Sequence, residues 1–199
     1  NLFNKLPIFV RVCVLQVLTN SIGSLRKHQI ENIKDFLNKE VIGNKCFAIN
    51  GFIILNDRDS VIINRKKLKK SVPLELKIGD NYNFDNYVYK VSEFSKNVRF
   101  SSSSDDELID LAAIKNKKLI LRYWCSGDRF KPLGMNGMQK ISDYLINNKI
   151  NLFQKDEQTV LTADDQIIWV CGQRIDDSVK VNKNTKNVLR IKRKFKKVV

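Results

Sequence analysis

The sequence predicts an α+β chain of two small domains: a small helical domain with a strand meander, followed by a mostly β C-terminal domain with one or two packed helices. Three observations predict it. Apolar residues recur at helical spacing over residues 7–42. From residue 45 onward the period shortens to that of strands, with Gly, Asn and Asp at the breaks. The 199 residues are 43% hydrophobic, enough to build real cores, and their number suits one ordinary domain or two small ones.

In the first domain, set at residues 1–70, Pro7 suits the first turn of a helix, where its missing N–H leaves nothing unpaired. Val10, Val14, Leu15 and Leu18 follow at helical spacing, and Asn20 to Gly23 make a break. Ser24 is expected to cap a second helix, with Ile30, Ile33, Phe36 and Leu37 on one face and Gly43 at its end. Phe47 and Ile49, Phe52 to Leu55 and Val61 to Ile63 read as three short strands. The basic stretch Lys66 to Lys70 and Pro73 mark the boundary. In the second domain, residues 71–199, strands are expected at Leu74–Ile78, Tyr87–Val91, Phe94–Phe100 and Lys118–Trp124. Ser101 to Asp106 reads as an exposed loop and Ile141 to Asn147 as a short helix. Val160-Leu161 and Ile167 to Val170 form a hairpin about Asp164-Asp165, and Leu189 to Ile191 is a last strand before a basic, solvated tail from Lys192.

Charge narrows the function. Lys and Arg number 36 against 21 Asp and Glu, a net +15. Such an excess favours a polyanionic partner, because each neutralised phosphate releases condensed counterions. The four cysteines, Cys13, Cys46, Cys125 and Cys171, form no CxxC pair, and His28 is the only histidine, so a zinc site is not expected. Each cysteine lies in an apolar run and reads as a small hydrophobe in a reducing, cytoplasmic setting. The longest apolar run, Ile8 to Leu18, is cut by Arg11 and Gln16, so no membrane span or secretory leader is expected. The chain opens on Asn1 within a helical pattern, and a longer parent protein is expected.

The most particular stretch is Ser126 to Met135, followed by Lys140 to Leu145. Gly127 lets the chain turn off a strand, Pro132 stiffens the loop and Gly134 permits a second turn. Phe130 and Leu133 anchor it. Arg129 and Lys131 are thereby held on a rigid loop, which suits phosphate: guanidinium is a planar fork and ammonium a point charge. The alternative for Arg129 is a local pair with Asp128 that pins the turn. Lys140 stands at the start of the short helix, where it adds to an anion-attracting end, while Ser142 and Asp143 serve equally well as first-turn capping residues. Arg174 either binds phosphate or pairs with Asp176 or Asp177. Between Lys180 and Lys197 there are nine Lys/Arg and no acid, among them Lys180, Lys183, Lys186 and Arg190. A dense basic segment beside a rigid Arg/Lys loop suits RNA read by shape through its phosphates and 2′-hydroxyls. Trp124 and Trp169, inside strand runs, read as core rather than base-stacking platforms.

The order of four blocks carries a family resemblance. Gly127-Asp128-Arg129-Phe130 with Pro132-Leu133-Gly134-Met135 comes first, then Lys140-Ile141-Ser142-Asp143-Tyr144. Trp169 to Asp176 and Thr185 to Ile191 follow. Over residues 115–192 these blocks resemble the C-terminal domain of bacterial tRNA(Ile)-lysidine synthetase, and the upstream part is more loosely similar to that family's middle helical domain. Departures are Asn151, Gln154, Lys155 and Gln158 in a stretch the family fills with prolines and arginines, and Cys171 and Gln173 beside Trp169.

The resemblance implies the tRNA-recognition portion of an ATP-dependent ligase that joins lysine to C2 of the anticodon wobble cytidine of an isoleucine tRNA with a CAU anticodon. ATP with Mg and the lysine substrate are implied for a catalytic domain bearing an SGGxDS loop. No such loop occurs in these residues, so no cofactor and no catalytic residue is expected here, and no ligase activity from this portion alone. The implied partner is tRNA, gripped away from the anticodon towards the acceptor stem. No DNA or membrane partner is expected, and a homodimer stays open. The second reading is a stand-alone, non-enzymatic basic RNA-binding module. A third, a protein–protein adaptor using the meander edge, predicts binding insensitive to salt.

Overall fold

The computed structural model describes residues 2–38, 46–58, 60–65, 71–95 and 99–196. Its mixture of few helices and many strands is the α+β class expected. Packing divides the chain into two compact units, residues 1–69 with 151–156, and residues 70–150 with 157–199.

The first unit holds α1 (Leu2–Lys5), α2 (Ile8–Leu18) and α3 (Lys27–Asn38), then the antiparallel meander β1 (Cys46–Ile49), β2 (Phe52–Asp57) and β3 (Ser60–Arg65) in that spatial order. Val12, Leu15, Ile33, Leu37, Ile49 and Ile54 form its core. Two expectations are corrected here. Leu15 is buried as its spacing suggests, but Leu18 is exposed and α2 buries Val12 as well; the helix is apolar nearly all round, so its period does not single out one face. Ser24 does not cap α3. Its hydroxyl donates to the Ser21 carbonyl, while the Gln29 side chain accepts the Arg26 N–H at 2.8 Å, one half of a capping box at the true helix start. The break between the helices is as read, with Asn20 and Gly23 both at positive φ. Gly43, Lys66 to Lys70 and the boundary they mark fall outside the described residues.

The second unit is two antiparallel sheets with a helix on the far side of one of them. The strands are β4 (Leu74–Leu76), β5 (Asn81–Phe84), β6 (Tyr87–Ser95), β7 (Asp106–Asp110), β8 (Leu119–Tyr123), β9 (Arg129–Phe130) and β10 (Gln139–Lys140). They continue, after α4 (Ile141–Asn147) and α5 (Leu152–Asp156, grouped with the first unit), with β11 (Thr159–Ala163), β12 (Gln166–Val170), β13 (Arg174–Ile175) and β14 (Asn187–Phe195). One sheet runs β13-β12-β11-β8-β4 and the other β5-β6-β14-β7. Leu121, Leu161, Trp169, Tyr89, Val91, Leu189 and Ile191 fill the layer between them. On the other face of the five-stranded sheet, Val160, Ile167 and Val170 pack with Phe130, Ile141 and Leu145. Burial on both faces is why β11 and β12 read as nearly continuous apolar runs rather than as alternations.

The structure adds and corrects strands. β5 lies between the expected strands Leu74–Ile78 and Tyr87–Val91, where no strand was expected, because its inward residues are only Tyr82 and Phe84 and its outward ones are asparagines. β7 begins at the end of the expected serine loop. Residues 96–98 of the expected Phe94–Phe100 strand lie outside the described residues, and Phe94 belongs to the end of β6. The basic segment from Lys192 is no solvated tail: β14 continues to Phe195, paired with β6 from Asn187↔Ser95 to Phe195↔Tyr87. Arg193 stacks on Tyr87 at 4.5 Å and pairs with Asp105. Its guanidinium lies where a Cβ on Gly172 would stand, so that position, at φ +71°, admits only glycine. Trp169 is fully buried, edge-on to Tyr89 at 6.3 Å, as a core residue. Of the cysteines, Cys171 is buried, and burial pushes its thiol up to about 12. Cys13 and Cys125 are exposed free thiols instead of small core hydrophobes.

Candidate nucleic-acid interface

The loop after β8 is built around Asp128. Its carboxylate accepts two bonds from the Arg122 guanidinium, at 2.8 and 3.0 Å, and one from the Cys125 N–H at 2.8 Å. The bidentate bond holds the Arg122 guanidinium above its ordinary value. Asp128 therefore pins the turn through Arg122, six residues back on β8, and not through its neighbour Arg129. Gly127, at φ +95°, makes the turn that lets the carboxylate fold back.

Freed of that duty, Arg129 enters a two-stranded ribbon. β9 pairs with β10 so that Arg129 stands directly opposite Lys140, and Phe130 opposite Gln139. Phe130 is buried and meets Tyr144 of α4 edge-on at 5.0 Å, fixing the ribbon to the helix. Arg129 and Lys140 are exposed, and among the described residues neither has a carboxylate within ion-pair distance; Arg129 has only a long bond, 3.5 Å, to the Met138 carbonyl. Like charges set opposite on a ribbon repel, so the pair favours an anion between them. Met135 and Met138, about half exposed, flank the ribbon. α4 is too short to offer an anion-binding end. Ser142 donates to Asp143, at 3.0 Å, and neither caps the helix.

The rest of the loop docks on the segment after β12. The Leu133 N–H reaches the Ile175 carbonyl at 3.0 Å, the Asp177 N–H the Lys131 carbonyl at 2.7 Å, and the Lys131 N–H the Asp176 carboxylate at 2.7 Å. Asp177 accepts the Gly134 N–H and pairs with both Lys131 (3.4 Å) and Lys180 (3.0 Å). The Gly134 N–H and the two ammonium groups hold the Asp177 carboxyl down at about 2. Arg174 pairs with neither Asp176 nor Asp177. It is exposed, and its guanidinium donates to the Leu133 carbonyl at 3.4 Å. Three of the four sequence blocks are thus joined: Arg129 faces Lys140 across the ribbon, Arg174 reaches the Leu133 carbonyl, and Lys131 and Lys180 share the Asp177 carboxylate.

The remaining expected residues stand on other elements. Lys183 and Lys186 are exposed in the approach to β14. Arg190 lies within β14 and is bidentate to Asp106 at 2.7 Å twice over, a carboxylate it shares with Lys192. Sequence reasoning missed Arg122 as the partner of Asp128, and it offered Asp177 to Arg174, whereas Asp177 holds Lys131 and Lys180. Among the described residues no cluster of His, Cys, Asp or Glu is placed to hold a metal ion, and no helix is long and apolar enough to cross a membrane.

The second unit is thus a two-sheet α+β module that presents a cationic ribbon. Residues 119–192 match the family described as the TilS substrate C-terminal domain. The chain is similar to tRNA(Ile)-lysidine synthases of Bacteroides thetaiotaomicron, 28% identical over 163 residues, and of Parabacteroides distasonis, 32% identical over 153 residues. Those matches cover 81% and 73% of the chain but only 35% and 33% of the relatives, so the chain spans about a third of their length. A crystal structure described as the TILS C-terminal domain shares the fold, with a TM-score of 0.57 at 20% identity, covering 64% of this chain and 98% of that one.

Proposed function

We propose that this chain is the tRNA-recognition portion of a tRNA(Ile)-lysidine synthetase. The whole protein uses ATP and Mg to join lysine to the wobble cytidine of an isoleucine tRNA with a CAU anticodon, in the cytoplasm. The observation that carries the reading is the Arg129–Lys140 pair: two opposed cations with no protein carboxylate among the described residues, held on a ribbon that the matched family domain includes. Arg129 and Lys140 grip one phosphate, Arg174 lies beside them, and Lys131 and Lys180 share Asp177 so that one positive charge of the three groups is left for RNA. Lys183 and Lys186 extend the contact, while Arg190 is aligned through Asp106.

The test is tRNA binding by the 199-residue chain across a salt series, comparing wild type with Arg129→Glu/Lys140→Glu. The expected loss is about tenfold or more, with a salt slope smaller by about two counterions. A folded variant that binds as wild type does would remove the ribbon from the interface.

A further inference from the structure

We propose that the open face of the four-stranded sheet, at Asn81, Asn83, Lys90, Lys192 and Lys194, is a second docking surface and takes the backbone of double-stranded RNA. The inference rests on the RNA-binding reading above and concerns a surface that the ribbon does not include. In β14, Leu189 and Ile191 point into the layer between the sheets, so Lys192 and Lys194 point the other way. Lys90 of β6 is directly opposite Lys192, and Asn81 of β5 is opposite Lys90. Val88 is opposite both Lys194 and Asn83. All five polar residues therefore share one face, on the opposite side of the two-sheet core from the ribbon and α4.

Three lysines lie within a small triangle. Cross-strand partners stand about 5 Å apart and diagonal neighbours about 7–8 Å. Lys90 and Lys194 are exposed and have no carboxylate within ion-pair distance among the described residues, while Lys192 shares Asp106 with Arg190. Lysines often guard the edge strands of a sheet against pairing with other chains. That explanation fails here, because β6 and β14 are the two inner strands. Opposed lysines cost stability, and an anion across them recovers it.

The chemistry around the triangle selects the anion. Ammonium groups take phosphates, and asparagine amides both donate to and accept from a ribose 2′-hydroxyl, the group a duplex of RNA displays. Single-strand binders stack bases on aromatic side chains. No aromatic side chain stands among these residues; Phe94, on the same strand face as Lys90, is about 13 Å farther along β6. A duplex met through its backbone fits the face, and a stacked single strand does not.

The test uses Lys90→Gln/Lys192→Gln/Lys194→Gln in the 199-residue chain, with the ribbon variant beside it, and circular dichroism to verify the fold. Asp106 keeps both bonds from Arg190 in this variant. The probes are a tRNA transcript, an RNA duplex of about 16 base pairs, and a single strand of the same composition, each titrated over a salt series. The expected result is about tenfold weaker binding of tRNA and duplex, a salt slope reduced by about two or more, and little change on the single strand. Unchanged duplex binding, with the ribbon variant weakened, overturns this surface and leaves the proposed function standing. Equal loss on duplex and single strand overturns the duplex assignment in favour of diffuse charge. If wild type binds neither tRNA nor duplex, the RNA-binding reading falls and this inference with it. Should the triple variant unfold, Lys90→Glu alone, at an exposed position with no carboxylate within ion-pair distance among the described residues, carries the same reading with an expected loss of about threefold.

Discussion

Asp128 shows how much one side chain decides. Its two bonds to Arg122 and one to the Cys125 N–H hold the loop that delivers Arg129 to the ribbon. Both charged groups are largely shielded, at 24% and 15% exposure, so breaking the pair leaves a half-buried guanidinium without its acceptor. Asp128→Asn should destabilise the chain by about 2 kcal/mol, read as a lower urea midpoint with an unchanged m-value; a midpoint equal to wild type would show that the turn holds without the carboxylate. Glu107 makes the opposite case. Burial raises its carboxyl from the ordinary range to about 7, with Arg174 opposing the shift. A carboxyl whose folded value is raised contributes fully only below its unfolded value near 4.5, and that contribution is lost as pH rises through 7. Glu107→Gln should match wild type in stability at pH 4 and exceed it at pH 8. Equal melting temperatures at pH 8 would count against the burial penalty. The Asp128–Arg129 alternative failed for a plain reason: Asp128 precedes β9 and its carboxylate folds back across the turn to Arg122 and the Cys125 N–H, while Arg129 enters the ribbon.

At the scale of elements, legibility followed burial pattern. The short helix Ile141–Asn147 and the β11–β12 hairpin were readable because each is a dense apolar run closed by turn residues. β5 and β7 were not, because β5 offers only Tyr82 and Phe84 to the core and β7 places Asp106 and Glu107 within a strand. β14 misled most. Its charged half reads as a tail, yet Arg193 lies on Tyr87 and Lys192 on Asp106, so these two charges are held by partners more than 80 residues away, which no local period reveals. Truncation after Ile191 removes the strand residues paired with Tyr87 to Lys90. It should abolish cooperative unfolding of the second unit, measured as loss of a sharp thermal transition, rather than trim affinity alone. A truncated chain that still melts sharply would show that the pairing beyond Ile191 is dispensable.

For the whole molecule, the α+β class and the motif loop were legible, while the assembly of the site was not. The block at 174–176 lies far in sequence from those at 127–135 and 140–144; β9–β10 pairing joins the first two, and the docking of Leu133 on Ile175 and Lys131 on Asp176 adds the third. We propose a domain boundary near residues 70 and 71. Residues 71–199 expressed alone should then give a dispersed amide spectrum and a single melting transition, and a collapsed spectrum would refute independent folding.

The place of β14 between β6 and β7 has a consequence for synthesis. Both flanking strands leave the ribosome well before their common partner, β6 about 100 residues and β7 about 80 residues ahead of it. Until Phe195 clears the exit tunnel, the inner edges of β6 and β7 stay open, each able to pair with a neighbouring nascent chain. The four-stranded sheet therefore closes only once β14 is available, and a chain stalled before Leu189 carries it half-built, with both edges exposed.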